Sequence, residues 1–478
     1  MRKRSLTALI SLSLLSACGG GNPEGPPEFG NVSVHDPSVI KVEDTYYVFG
    51  SHLASAKSKD LMSWTQISSG VTDDNVLIPN VTEELSETLS WAQSDTLWAP
   101  DVIQLADGKF YMYYDACKGD SPLSALGIAV ADKIEGPYKN KGIILKSGMS
   151  GIGDDGEVYD STEKPNVVDP DVFWDKDGKL WMVYGSYSGG IFILELDPAT
   201  GFPLEGQGYG KKLLGGNHAR IEGPYMLYSP ETDYYYLFLS YGGLDANGGY
   251  NIRVARSKHP AGPFEDSEGK AMLDAQGTPG VLFDDPAYAP YGVKLMGNHE
   301  FVNTDEEAAA GSGTGYVSPG HNSAYYDEKS GQYYLIFHTR FPGLGEQHEV
   351  RVHQMFMNEA GWPVVAPHRY GGERIGKYTV KDVAGAYKLV NHGKKITAEL
   401  AESQVVELNA DGTISGAVTG TWALSNDHMA KLTLEGAEYS GVFLREWNEA
   451  TSSEVMTFTA LSAEGVAVWG SHVSPEAK

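Results

Sequence analysis

From Val34 onward the chain alternates short apolar runs with polar turns, and the first complete unit is Val34 to His52, VHDPSVIKVEDTYYVFGSH. An apolar run opening on His35 and Asp36, a turn at Glu43 and Asp44, and a second run led by Tyr46 and Tyr47 predict a β-hairpin. The arrangement returns as APDVIQLADGKFYMYYD, VDPDVFWDKDGKLWMVYGS, IEGPYMLYSPETDYYYLFLS and GHNSAYYDEKSGQYYLIFHTR. Laid over one another on Tyr46-Tyr47, Phe110-Tyr111, Leu180-Trp181, Tyr235-Tyr236 and Tyr333-Tyr334, the five copies carry a polar residue about nine to thirteen positions upstream. These residues are Asp36, Asp101, Asp169 with Asp171 beside it, Glu222 and His321. Further strand-like segments follow each hairpin, so the unit is several short strands at a long, loose period, the pattern of a propeller blade. In that architecture the first strand of every blade lines a central channel, and the four acids and the histidine are expected to share one pocket.

Alternation within the runs is partial, as expected of sheets sandwiched between neighbouring sheets, and no amphipathic helix of ordinary length stands out. Two inserts interrupt the repeat, Val71 to Trp91 and Ala271 to Gly315. Loops this long are usually functional or disordered, and both are expected to shape a cleft. After Arg369 the pattern changes. Short alternating runs such as QVVELNADGTISG and MTFTALS, punctuated by turns, predict a small second β domain over 376–478, a barrel or a sandwich, without clustered acids or histidines. The fold class is all-β: a five-bladed propeller over 31–370, followed by that domain.

The start of the chain reads differently. Arg2, Lys3 and Arg4 precede an apolar segment too short to span a bilayer, which ends in Leu15-Ser16-Ala17-Cys18. This is a signal peptide over 1–17, and Leu-Ser-Ala-Cys resembles the lipobox of bacterial lipoproteins, which implies a lipid anchor at Cys18; plain secretion is the alternative. Residues 18–30 are rich in Gly and Pro, as a tether should be. With Cys18 lipidated, Cys117 is left alone, so no disulfide is expected and the protein is held by apolar cores. The formal charge of −27 argues against nucleic acid and anionic lipid as partners and suits a neutral substrate. The expected location is extracytoplasmic, and the expected state is monomeric.

Two carboxyls facing one another across a wet pocket are the equipment of a glycosidase, one protonated to donate and one ionised to activate water or attack. A third acid raises the pKa of the donor by like charge. Asp36, Asp169 and Glu222 supply such a trio, and Trp98 offers a ring on which a sugar face can stack. Asp101 falls in the same register but reads as structural.

HDPS at His35, WAPDV at Trp98, VDPDV at Val168, YGS at Tyr184 and HARIEGPY at His218 together resemble glycoside hydrolase family 43, in order through the whole repeat region. Within that family, HDPS, SHLASAKSKDL at Ser51 and the C-terminal domain are most similar to bacterial endo-α-1,5-L-arabinanases. The resemblance implies hydrolysis of arabinan or arabino-oligosaccharides with inversion at the anomeric carbon. It makes Asp36 the general base, Glu222 the general acid and Asp169 the acid that tunes and orients it. The Asp-Pro pair shared with Asp36-Pro37 favours Asp169 over Asp171. It also implies substrate contacts from Trp98, Asn166, Ser186 and His35, and a metal ion, usually calcium, at His321. Calcium prefers oxygen ligands, so one imidazole implies a shell completed mainly by water. An exo-acting arabinosidase or xylosidase remains open from sequence, because either insert could close the groove. A non-catalytic carbohydrate-binding propeller is disfavoured, since the channel residue differs from unit to unit.

Overall fold

The computed structural model describes residues 25–282, 285–305, 307 and 313–474. The expected signal peptide, Cys18 and most of the expected tether lie outside the described residues.

Four sheets of four antiparallel strands follow one another along the chain. The first comprises Ser38–Val42, Thr45–Gly50, Ala54–Ser58 and Thr65–Ser68; the second Asp101–Gln104, Phe110–Cys117, Ser124–Ala131 and Lys139–Lys146; the third Asp171–Trp174, Leu180–Tyr184, Ile191–Leu196 and Lys211–Leu214; the fourth Ile221–Ser229, Tyr234–Tyr241, Asn251–Ser257 and Val293–Met296. The fifth blade, Gly313–Asp327, Gln332–Arg340, His348–Met357 and Pro363–Val365, is widened by His299–Val302 and Ala401–Glu402. The first two hairpins share one register, with Ile40 opposite Tyr47 and Ile103 opposite Tyr111. Phe110–Cys117 and Ser124–Ala131 are buried at every position, because both faces of a blade pack on other blades.

Apolar clusters lie between blades. Tyr111, Tyr113 and Ile128 meet Val172, Met182 and Leu194 across the second and third, and Val34 and Val48 meet Ile336 and Val352 across the first and fifth, which closes the ring. Buried carboxyls reinforce it: Asp101 accepts from Ser38 in the blade before and from the Val172 amide in the blade after, and Asp171 accepts from the Met226 amide at 2.7 Å. Asp101 and Asp171 therefore leave the expected channel pocket; they join blades.

Both inserts carry structure of their own. The first insert contributes Leu77, Ile78, Val81, Leu85 and Leu89 to the core beside the second blade, and it carries two short helices, Val81–Glu84 and Ser86–Ala92. Its apolar side chains are spent on packing. The second insert supplies Val293–Met296, the outer strand of the fourth blade.

Between barrel and sandwich the structure decides for a barrel, eight strands closed from Gly385–Asn391 to Ala467–His472 and filled by Tyr387, Trp422, Phe443 and Phe458 among others. Its outer wall shares a core with the propeller: Trp469, fully buried, packs edge-on against His299 and His392 and joins the cluster that holds Phe301, Tyr316 and Trp362. Lys388 of the barrel and Glu307 of the second insert form an ion pair at 2.8 Å with both side chains 1% exposed.

Candidate active site

The inner ends of the first, third, fourth and fifth blades bring together Asp36, Asp169, Glu222 and His321. Asp36 and Asp169 both have φ of 56°, each just before a proline, in a left-handed conformation that Asp tolerates better than most residues. Both remain nearly buried, at 9% and 5% exposure, as does Glu222 at 7%.

Asp36 is surrounded by donors. Its Oδ2 accepts from Ser51 Oγ at 2.5 Å and from His35 Nδ1 at 2.8 Å, and its Oδ1 faces His321 Nδ1 at 3.1 Å. Burial works against the charge, but the imidazoles of His321 and His35 outweigh it and hold the carboxyl well below the usual range. Burial likewise opposes charge on His321, yet Asp36, Asp169 and Glu222 raise that ring to about 10. Asp36 is thus a carboxylate at any working pH.

Glu222 has the opposite balance. Burial raises its pKa and exceeds the opposing effects of His321, Ser186 and Tyr250, while Asp36 adds like-charge repulsion. Ser186 Oγ donates to Oε2 at 2.7 Å and Tyr250 Oη to Oε1 at 2.8 Å, fixing the carboxyl plane. Tyr250 reaches it because Gly320 has no side chain: a Cβ there would lie 2.0 Å from the tyrosine ring. Asp169 accepts the Gly223 amide at 3.1 Å and is pushed up to about 7, chiefly by burial. One pocket therefore holds an acid whose pKa is lowered beside two whose pKa values are raised, the division that acid–base chemistry requires.

The remaining expected residues sort themselves by contact. His35 and Ser186 grip Asp36 and Glu222. Asn166 is committed to protein partners, accepting from Ser124 Oγ at 2.5 Å and donating towards Cys117 Sγ. Trp98 is half-buried, with its amide on the Asp115 carbonyl at 3.0 Å. Four residues escaped the sequence reading: Ser51, Tyr250, His338 and Asp115. Asp115 closes the apolar run YMYYD, and an acid in such a run was the available signal. It is fully buried, neither carboxyl oxygen has a partner, and the Asp169 amide faces it without closing a hydrogen bond. The other three lie in loops or strand ends whose spacing carries no mark.

His35, Asp36 and His338 bring three ligand-type atoms within 4.8 Å. The two rings are stacked at 3.9 Å and 25°, so their in-plane lone pairs do not converge on one point. A separate cleft of 480 Å³ lies at the seam with the barrel, lined by His299, Tyr316, Arg351, Arg369 and Glu449 among others. Its Arg369 and Glu449 are paired with each other at 3.2 Å, and the acid trio is elsewhere.

The chain is 66% identical over 445 residues to the extracellular endo-α-(1→5)-L-arabinanase 2 of Bacillus subtilis, covering 93% of this chain and 94% of the relative. It is 53% identical to the extracellular endo-α-(1→5)-L-arabinanase of Thermotoga petrophila, over 98% of this chain and 99% of that one. The crystal structure of the endo-1,5-α-L-arabinanase from Thermotoga petrophila superposes with a TM-score of 0.90 at 54% identity, covering 94% of this chain and 100% of that one. Residues 367–470 match the C-terminal lipocalin-like domain of the same family. Residues 29–363, most of the chain, match glycosyl hydrolases family 43, and the chain belongs to that family.

Proposed function

We propose that this chain is an endo-acting arabinanase, cleaving α-1,5-L-arabinofuranosidic bonds in arabinan with inversion. The single observation that carries the mechanism is that Asp36 and Glu222 share one nearly buried pocket in which the neighbouring imidazoles lower the pKa of the first and burial raises that of the second. Glu222 gives its proton to the glycosidic oxygen as the bond from that oxygen to the anomeric carbon breaks. Asp36 takes a proton from the water that attacks the opposite face, forming the new carbon–oxygen bond. Asp169, held by the Gly223 amide and pushed up to about 7, raises the pKa of Glu222 whenever it is ionised, because like charges side by side favour keeping the proton on the donor. Trp98 provides a stacking surface beside the acids, and His35 and Ser186 act on the sugar and on the carboxyls they hold. The near-full-length relatives, both named as endo enzymes, support internal cleavage. Product analysis on linear arabinan is the test: a ladder of oligosaccharides supports the reading, whereas arabinose alone means exo action and no cleavage means a binding protein.

His321 is the residue proposed to hold calcium. Its Nδ1 faces Asp36, so an ion would bind at Nε2 by displacing the second ring proton that the neighbouring acids otherwise hold there, in the carboxylate–histidine arrangement common behind metal ligands. The buried Asp115 carboxyl without a partner fits as a further anchor, directly or through water. When bound, the cation supplies positive charge that favours ionised carboxylates around it. Elemental analysis should find calcium in the purified protein, and Asp115→Asn and His321→Ala should each lower its occupancy; a native protein with no ion removes this part of the reading.

The export signal supports a mature chain that begins at Cys18 and is tethered to the cell envelope by lipid; we propose further that it works as a monomer, with the propeller over 31–370 and the barrel domain over 376–478. Cys18→Ser should move the protein from the membrane fraction to the soluble one.

A further inference from the structure

Asp36 is held in a conformation an L-residue adopts at a cost. A residue in the left-handed region costs on the order of 1–3 kcal/mol and persists only where its surroundings impose it. The Asp36 amide donates to His338 Nδ1 at 3.1 Å, across 302 residues of sequence. An amide nitrogen can only donate, so Nδ1 of His338 carries a lone pair and the ring proton sits on Nε2. That Nε2 has no partner, and the ring is fully buried. An unsatisfied buried donor costs about 1–3 kcal/mol, so a histidine here is a poor core residue except for what its Nδ1 does. The ring also lies under His35, stacked at 3.9 Å, and His35 in turn grips Asp36 Oδ2. The 3.5 Å approach of Asp36 Oδ1 to the same Nδ1 sets two acceptors side by side and is not an ion pair.

We propose that His338 is a positioning residue for Asp36: a neutral ring whose Nδ1 pins the Asp36 amide and fixes the left-handed turn that aims its carboxylate at the attacking water, while its face seats His35. Burial and the neighbouring His35 keep the ring well below the ordinary imidazole range, so the acceptor persists through the working pH. The proposal rests on Asp36 being the general base.

The test exploits side-chain geometry. Asparagine places its amide oxygen near the Nδ1 position, whereas glutamine reaches towards Nε2. His338→Asn should keep kcat within about tenfold of the parent. His338→Gln and His338→Leu should lose about 10²-fold in kcat, the scale of a misplaced catalytic group, with KM within about twofold. On an arabino-oligosaccharide with a nitrophenyl leaving group the loss should persist, because water still needs its base. A Ser186→Ala loss, acting through Glu222, should largely vanish there. Equal losses for Asn and Gln, full activity in a folded Leu variant, or failure of all three variants to fold would each overturn the proposal and make His338 structural. Full activity of Asp36→Ala would instead overturn the base assignment on which it stands.

Discussion

At the scale of single residues, function rests on two carboxyls driven in opposite directions by their neighbours. Asp36 loses its proton below the ordinary carboxylate range and Glu222 keeps its own above it, so kcat/KM should rise as Asp36 ionises at acid pH and fall as Glu222 deprotonates. The bonds from Ser186 and Tyr250 favour the ionised form of Glu222. Removing either therefore raises its pKa, and Tyr250→Phe should move the alkaline limb of the pH–rate profile upward. A limb that moves down would mean the tyrosine bond stabilises the protonated acid. Asp36 and Asp169 were legible in the sequence because each opens an Asp-Pro pair a similar distance ahead of the residue pair, Tyr46-Tyr47 or Leu180-Trp181, on which the copies align. Ser51, Tyr250 and His338 were not, because a propeller gathers strand ends from different blades and leaves no local spacing behind. Asp101 shared the register of the site residues, but its side chain turns sideways to bond two neighbouring blades.

Individual elements show where pattern reading succeeds and where it fails. The inner hairpins were evident because their aromatic pairs and turns repeat. The outer strand of the fourth blade, Val293–Met296, was hidden because a long excursion separates it from Asn251–Ser257 and four residues carry little pattern. The helices at Val81–Glu84 and Ser86–Ala92 were missed because they are too short for a helical period to emerge, though their apolar side chains pack the second blade. The fifth blade supplies a sharp test of coupling between element and site. Gly320→Ala would drive a methyl into the Tyr250 ring, so thermal stability should fall by about 1–3 kcal/mol, with a loss of activity through the displaced Glu222 partner. A variant as stable and active as the parent would show that the strand yields without moving Tyr250.

For the whole molecule, the sequence suggested two domains with separate cores, and the structure joins them through Trp469, the histidines around it and the Glu307–Lys388 pair. The seam was invisible beforehand because its histidines and its lysine are spread over both domains and unremarkable one by one. Lys388→Met should strand Glu307 as a buried charge and cost about 3–5 kcal/mol, and propeller and barrel should still melt in one transition. Two resolved transitions in the parent protein would show that the shared core does not couple them. The catalytic account itself meets its most direct test in proton NMR of the first sugar released from an arabino-oligosaccharide. Inversion, with Asp36 activating water across the ring from Glu222, predicts that the β-anomer appears first and mutarotates afterwards; initial release of the α-anomer would mean a covalent, retaining mechanism and would contradict it.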